Sequence, residues 1–82
     1  MRYELKFSGD AREQLRALPK AIRQRIGVNL TRMQTDLFGD VKKLTGPESV
    51  YRLRVGSYRV LFRLERNAIA VYAVRDRRDA YA

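Results

Sequence analysis

The chain contains no cysteine and no histidine. Without cysteine there are no disulfides and no thiolate metal sites, which fits a reducing compartment. Without histidine, the usual general base, the usual proton shuttle and the commonest metal ligand are missing together. No long apolar run is present, so neither a membrane span nor the apolar core of a signal peptide is expected, and a cytoplasmic protein is. Acidic residues are scarce: 9 Asp+Glu stand against 18 Lys+Arg, for a net charge of +9. Fourteen of those cations are arginines. Arginine stays charged at any accessible pH and grips phosphate through a planar, two-pronged contact. A balance this basic in 82 residues argues for nucleic acid or an acidic protein as partner. The length predicts a single small domain, residues 1–82, of modest stability.

The cations are concentrated in the last third. Val50-Tyr51-Arg52-Leu53-Arg54-Val55 and Tyr58-Arg59-Val60-Leu61-Phe62-Arg63-Leu64 both alternate apolar and basic residues. A strand sends alternate side chains to opposite faces. Leu53 and Val55 can therefore enter a core while Arg52 and Arg54 stand on the other side. Likewise Tyr58, Val60, Phe62 and Leu64 share one face, and Arg59 and Arg63 the other. Gly56-Ser57 joins the runs. The pattern predicts a hairpin that is apolar on one face and lined with guanidinium groups on the other.

Earlier in the chain, Arg2 to Phe7 alternates and predicts a first strand. Ser8 stands where a helix N-cap belongs, with Asp10 in the first turn to complement the dipole. Ala11, Leu15 and Leu18 recur at helical spacing up to Pro19, which ends one helix and can open the next. Ala21, Ile22, Ile26, Leu30 and Met33 mark the buried face of a second helix that should run to about Asp36. Arg12, Arg16, Arg23, Arg25 and Arg32 read as solvated helix faces. Leu37 to Gly46, with Lys42 and Lys43, reads as a loop, at most ending in a short extended piece. The run Ala68 to Val74 is almost wholly apolar and predicts a central strand covered on both faces. In the turn before it, Glu65-Arg66-Asn67, Asn67 is the residue that tolerates positive φ. The expected fold is α+β, in the order β-α-α-β-β-β, with a helical hairpin packed on one face of a small, mostly antiparallel sheet.

In that fold the arginine face lies opposite the helices. Arg52, Arg54, Arg59 and Arg63 project from it, and the tail adds Arg77, Arg78 and Tyr81. Unpaired bases can stack on a tyrosine or a guanidinium plane while arginines hold phosphates, so the surface suits RNA better than duplex DNA. Phosphodiester cleavage further needs a base, charge stabilisation at phosphate and an acid. The arginines supply the second. Tyrosine titrates near 10, so Tyr81 could act as base only beside cations that lower its pKa. The 2′-hydroxyl of RNA is a built-in nucleophile, so cleavage through it requires no metal and no cofactor.

Several segments carry a family resemblance that spans essentially the whole chain. They are the opening strand with Phe7-Ser8, the helical hairpin, Leu44-Thr45-Gly46, the run Tyr51 to Val60, and Arg77-Arg78-Asp79-Ala80-Tyr81. In these the chain resembles the RelE/ParE superfamily of bacterial and archaeal toxin–antitoxin toxins. RelE-like members are ribosome-dependent mRNA interferases that cleave the A-site codon through the 2′-hydroxyl, the function the resemblance implies first. The alternatives are a ParE-like inhibitor of DNA gyrase without nuclease activity, or a degenerate toxin that only binds its antitoxin or RNA. The resemblance implies a catalytic set of Arg54, Arg59, Arg77 and Tyr81, with Arg59 and Arg77 on the phosphorane and Tyr81 stacked on a base or orienting the 2′-hydroxyl. It implies RNA-binding roles for Arg52 and Arg54, to which Arg78, Lys42 and Lys43 are added as candidate RNA contacts. It also implies an antitoxin partner, besides the ribosome and mRNA. Three positions depart from the pattern. Arg52 and Arg54 stand where some relatives carry lysine, and arginine is a poor proton acceptor. Asp76 stands where many relatives carry histidine; it could take a proton, or pair with Arg78 or Arg52.

Overall fold

The computed structural model of the chain describes residues 2–36, 41–44 and 50–76. Its elements are β1 (Glu4–Phe7), α1 (Gly9–Arg16), α2 (Lys20–Asp36), β2 (Val41–Lys43), β3 (Val50–Val55), β4 (Tyr58–Glu65) and β5 (Ala68–Asp76). The strands form one sheet in the order β1-β5-β4-β3-β2. Only β1 and β5 run parallel; the other pairings are antiparallel. The helical hairpin packs on one face, giving the expected α+β architecture. No described helix is long and apolar enough to cross a membrane.

The period of two decides the core. Leu53 and Val55 of β3 and Val60 and Phe62 of β4 are buried, together with Ile26, Leu30 and Met33 of α2. The ring of Tyr51 stacks on Phe62 with centroids 5.6 Å apart and planes 13° from parallel. Ala21, expected on the buried face of α2, is exposed. The buried stripe runs through Ile22, Ile26, Leu30 and Met33, and Ala21 sits one residue, about 100° of helical turn, away from its edge.

Ser8 caps α1 as expected: its Oγ accepts from the Ala11 N–H at 3.1 Å. The same hydroxyl donates to the Tyr72 carbonyl at 3.2 Å, and the Ser8 N–H donates to the Val71 carbonyl at 2.9 Å. One residue thus starts the helix and ties it to β5. The Gln14 Oε1 of α1 accepts the Val74 N–H at 2.6 Å, covering a stretch of β5 beyond the end of β1. The Pro19 carbonyl accepts from the Arg23 N–H at 3.0 Å, so proline opens α2, which ends at Asp36 as the periodicity predicts.

Three details differ from the sequence reading. Within the stretch read as a loop, Val41–Lys43 forms β2, paired with β3 through Val41 opposite Leu53. Three residues are too few for alternation to show; the strand exists because β3 offers it a ladder. The β5 strand is internal, between β1 and β4, and buried on both faces as expected, with Ile69, Val71 and Val74 on the core side and Ala68 and Ala73 on the other; the unexpected feature is a bulge. Phe62 stands opposite Val71 and Leu61 opposite Ala73, leaving Tyr72 as the extra residue. Ile69 and Val71 face the core before the bulge and Val74 after it, so the parity changes within the run.

The third difference is in the β4–β5 turn, where the positive φ falls on Arg66 (38°) and not on Asn67. The β3–β4 turn likewise places its positive φ (61°) on the first central residue, Gly56. In both two-residue turns it is the first position that must be left-handed, as in the type II′ pattern. A side chain there costs roughly 1–2 kcal/mol, while glycine adds about 0.5–1 kcal/mol of chain entropy to the unfolded state. Arg66 is exposed and has little packing to lose. Arg66→Gly is therefore expected to stabilise the fold by about 0.5–1 kcal/mol, raising the thermal midpoint by several degrees in a melt followed by circular dichroism.

Candidate nucleic-acid interface

Because Leu53, Val55, Val60 and Phe62 point to the helices, their neighbours must point away from them. Register then decides which cations meet. Arg54 stands opposite Arg59, and Arg59 opposite Arg75, so three arginines form one row across β3, β4 and β5. The next row on that face is Lys42, Arg52, Leu61 and Ala73. Facing residues in an antiparallel pair have Cα atoms about 4.5–5.5 Å apart, so the arginine stems are direct neighbours. Like charges placed this way oppose folding. The row is held by the apolar residues alternating with it.

Arg54 is exposed, whereas Arg52 and Arg59 are half-buried, and the Nη1 atom of Arg52 is fully enclosed. Arg52, Arg54, Arg59 and Arg63 each take part in further contacts within the molecule. Arg54, Gly56, Ser57, Tyr58 and Arg59 line a cavity of about 60 Å³ at the hairpin tip. A single water needs roughly 10–15 Å³ on this measure, so the space suits a few waters or one tetrahedral oxyanion. Behind the tip, the Nη1 of Arg25 lies 3.4 Å from the point where a side chain on Gly56 would begin. Gly56 is needed for its φ; a side chain there would meet Arg25 only at ordinary contact distance. Arg25, read from the sequence as a solvated helix residue, thus backs the turn that carries Arg54 and Arg59.

Not every predicted site residue joins the row. Lys42 shares its face, but Lys43 stands opposite Tyr51 and belongs to the helix-bearing side. Asp76 stands opposite Tyr58, also on the helix-bearing side and three ladder positions from the Arg52–Leu61 pair. That register separates it from Arg52, one of its two suggested partners. Arg77, Arg78 and Tyr81 lie outside the described residues. Arg75 was missed in the sequence: it closes the run Val71 to Val74 and gains significance only through its register with Arg59.

The chemistry of the row is that of anion binding. Guanidinium groups from adjacent strands can hold a phosphate and oppose the charge that grows on it during displacement. They cannot exchange a proton, since arginine is never deprotonated in proteins.

Residues 5–81 match the family model described as the ParE toxin of type II toxin–antitoxin systems, parDE. The chain belongs to this toxin family. The toxin is also similar to a chain of the RelB–RelE antitoxin–toxin complex of Methanococcus jannaschii, with 29% identity over 93% of this chain and 94% of that one and a TM-score of 0.81. A chain of the archaeal RelE–RelB complex from Pyrococcus horikoshii is 27% identical, over 94% and 97% of the two chains, with a TM-score of 0.80. A free-state mutant of Escherichia coli RelE shares the fold at a TM-score of 0.83 and 21% identity, over 99% of this chain and 90% of that one. No curated protein matches the toxin by sequence. The RelE/ParE resemblance read from the residues is thereby established, and the arginine row is a feature of a type II toxin.

Proposed function

We propose that the toxin is a ribosome-dependent mRNA endoribonuclease that inhibits translation. The observation that carries this reading is the row Arg54, Arg59 and Arg75, with Arg52 and Lys42 in the row beside it on the same face. Protein-docking surfaces use single arginines as anchors beside aromatic residues, but their cores are depleted of charge as a whole. A patch made of neighbouring guanidinium groups suits a polyanion instead. In this reading Arg54 and Arg59 hold the scissile phosphate and stabilise the phosphorane, while Arg52 and Lys42 grip adjacent phosphates. The 2′-oxygen attacks phosphorus and loses its proton, and the 5′-oxygen leaves and gains one, so a cyclic phosphate and a 5′-hydroxyl result. Arg77 on the phosphorane, Tyr81 at the base or 2′-hydroxyl, and Arg78 on the backbone complete the proposed site. The described arginines offer no proton acceptor, which supports dependence on the ribosome to orient the substrate and assist proton transfer.

The proposed partner is an antitoxin whose acidic or apolar segment covers the toxin; the RelB–RelE complexes among its structural relatives support this. Val28, 53% exposed on α2, offers apolar surface to such a segment. A second reading, inhibition of DNA gyrase without nuclease chemistry, is favoured by the family model, which describes the ParE toxin.

Adding the purified toxin to a translation extract and mapping mRNA ends by primer extension separates the two. The expected result is cuts within translated codons and intact RNA when ribosomes are omitted. Intact mRNA together with gyrase-dependent DNA breakage would overturn the nuclease in favour of the second reading.

A further inference from the structure

A second cavity opens on the arginine-bearing face, away from the Arg54–Arg59 pair. It is a shallow, open depression of about 360 Å³ between β1, β5 and β4. Its floor is Ala70, which is in register with Lys6 on one side and Arg63 on the other. Glu65 lies along the Arg63 side, and Tyr72 closes one end. Tyr72 is the bulged residue of β5, so the irregularity in the ladder brings its ring to this face. The Arg63 guanidinium lies over that ring, its central carbon 5.4 Å from the centroid.

The contents of the cavity select a ligand. Lys6 and Arg63 are cationic, but the Glu65 carboxylate in the same wall disfavours a phosphate inside. The guanidinium backed by an aromatic ring is a flat platform, and unpaired bases stack on guanidinium planes and aromatic rings. A carboxylate beside that platform can accept a hydrogen bond from an exocyclic amino group, as Glu does from cytosine N4. Arg63 is four residues from Arg59 on the same face of β4, a distance of about 13 Å at strand rise. A strand of RNA whose phosphate sits at Arg54 and Arg59 can reach the cavity.

We infer that this cavity is a nucleobase subsite for single-stranded RNA, in which the base stacks on Arg63 above Tyr72 and presents an amino group to Glu65. Lys6 holds the neighbouring phosphate. The inference rests on the RNA-binding reading above and extends it to a contact outside the cleavage site. Cytosine is preferred over uracil there, because uracil carries a carbonyl where cytosine carries the amino group.

The test is equilibrium binding of short 2′-O-methyl oligocytidylate and oligouridylate, which cannot be cleaved, to the free toxin at low salt. The wild type is expected to bind oligocytidylate about tenfold more tightly, the low end of a single charge-assisted hydrogen bond's worth of discrimination. Glu65→Ala is expected to tighten oligouridylate binding and to erase that ratio. Arg63→Lys keeps the charge but removes the plane, and is expected to weaken both oligomers about tenfold, the effect of one lost stack. Both residues are exposed, so both variants should fold; Tyr72→Leu, checked by thermal melt, provides a third. If Glu65→Ala and Arg63→Lys bind like the wild type while Arg54→Ala and Arg59→Ala lose the oligomers, the subsite is wrong and the RNA reading stands. If the wild type binds neither oligomer, the subsite falls, and the translation extract alone decides the nuclease reading. Variants that lose affinity for an antitoxin but not for the oligomers would overturn the subsite and make the cavity a protein-docking feature.

Discussion

Arg59→Ala is expected to lower mRNA cleavage in a translating extract by about 100- to 1,000-fold, the usual cost of removing one preorganised donor from a developing oxyanion. Arg59 is the middle of its row, flanked by Arg54 on β3 and Arg75 on β5, and is the only one of the three with a guanidinium neighbour on either side. It is also half-buried, so its head group is positioned more firmly than those at the exposed ends. The same substitution should cost no more than about 1 kcal/mol of stability. Truncation removes some packing around the half-buried stem and a contact that Arg59 makes within the molecule. Relief of the like-charge pairs on both sides offsets this, since each opposes folding by a few tenths of a kcal/mol, up to about 1. Primer extension gives the activity and a urea titration the stability. A variant that cuts as fast as the wild type would remove Arg59 from the site. One that is inactive because it has unfolded would show up as a collapsed urea midpoint.

The largest stability effect is expected at Phe62. It is fully buried in β4, the middle strand of the sheet, and stacks on Tyr51 of β3. Truncating a buried phenylalanine to alanine costs about 3–5 kcal/mol, from lost transfer energy and an unfilled cavity. A chain of 82 residues has roughly 4–12 kcal/mol in all, at 0.05–0.15 kcal/mol per residue. Phe62→Ala should therefore lose a quarter or more of the total, lowering the thermal midpoint by about 12 °C or more, and at the low end of that stability range leave much of the chain unfolded. Val28→Ser, on the exposed side of α2, should move the midpoint by no more than a few degrees. A Phe62→Ala midpoint within about 5 °C of the wild type would show that the core does not centre on β4.

Much of this toxin was legible in one dimension because its strong signals are local. The alternation through Leu53, Arg54 and Val55 separates core from charge, since a strand turns its side chain over at every step. Ser8, Pro19 and the spacing from Ile22 to Met33 mark helix ends and a buried stripe, since caps and helical periods involve residues only a few positions apart. Cross-strand neighbours were decided only by the assembled sheet. The row from Arg54 through Arg59 to Arg75, the parting of Lys42 from Lys43, the strand at Val41–Lys43 and the bulge that brings Tyr72 under Arg63 all depend on register between segments. Register is a property of a hydrogen-bonded ladder between two strands, and a slip of one residue would carry every arginine to the other face. Composition and periodicity made this chain a basic α+β protein; pairing of its strands turned scattered cations into a site.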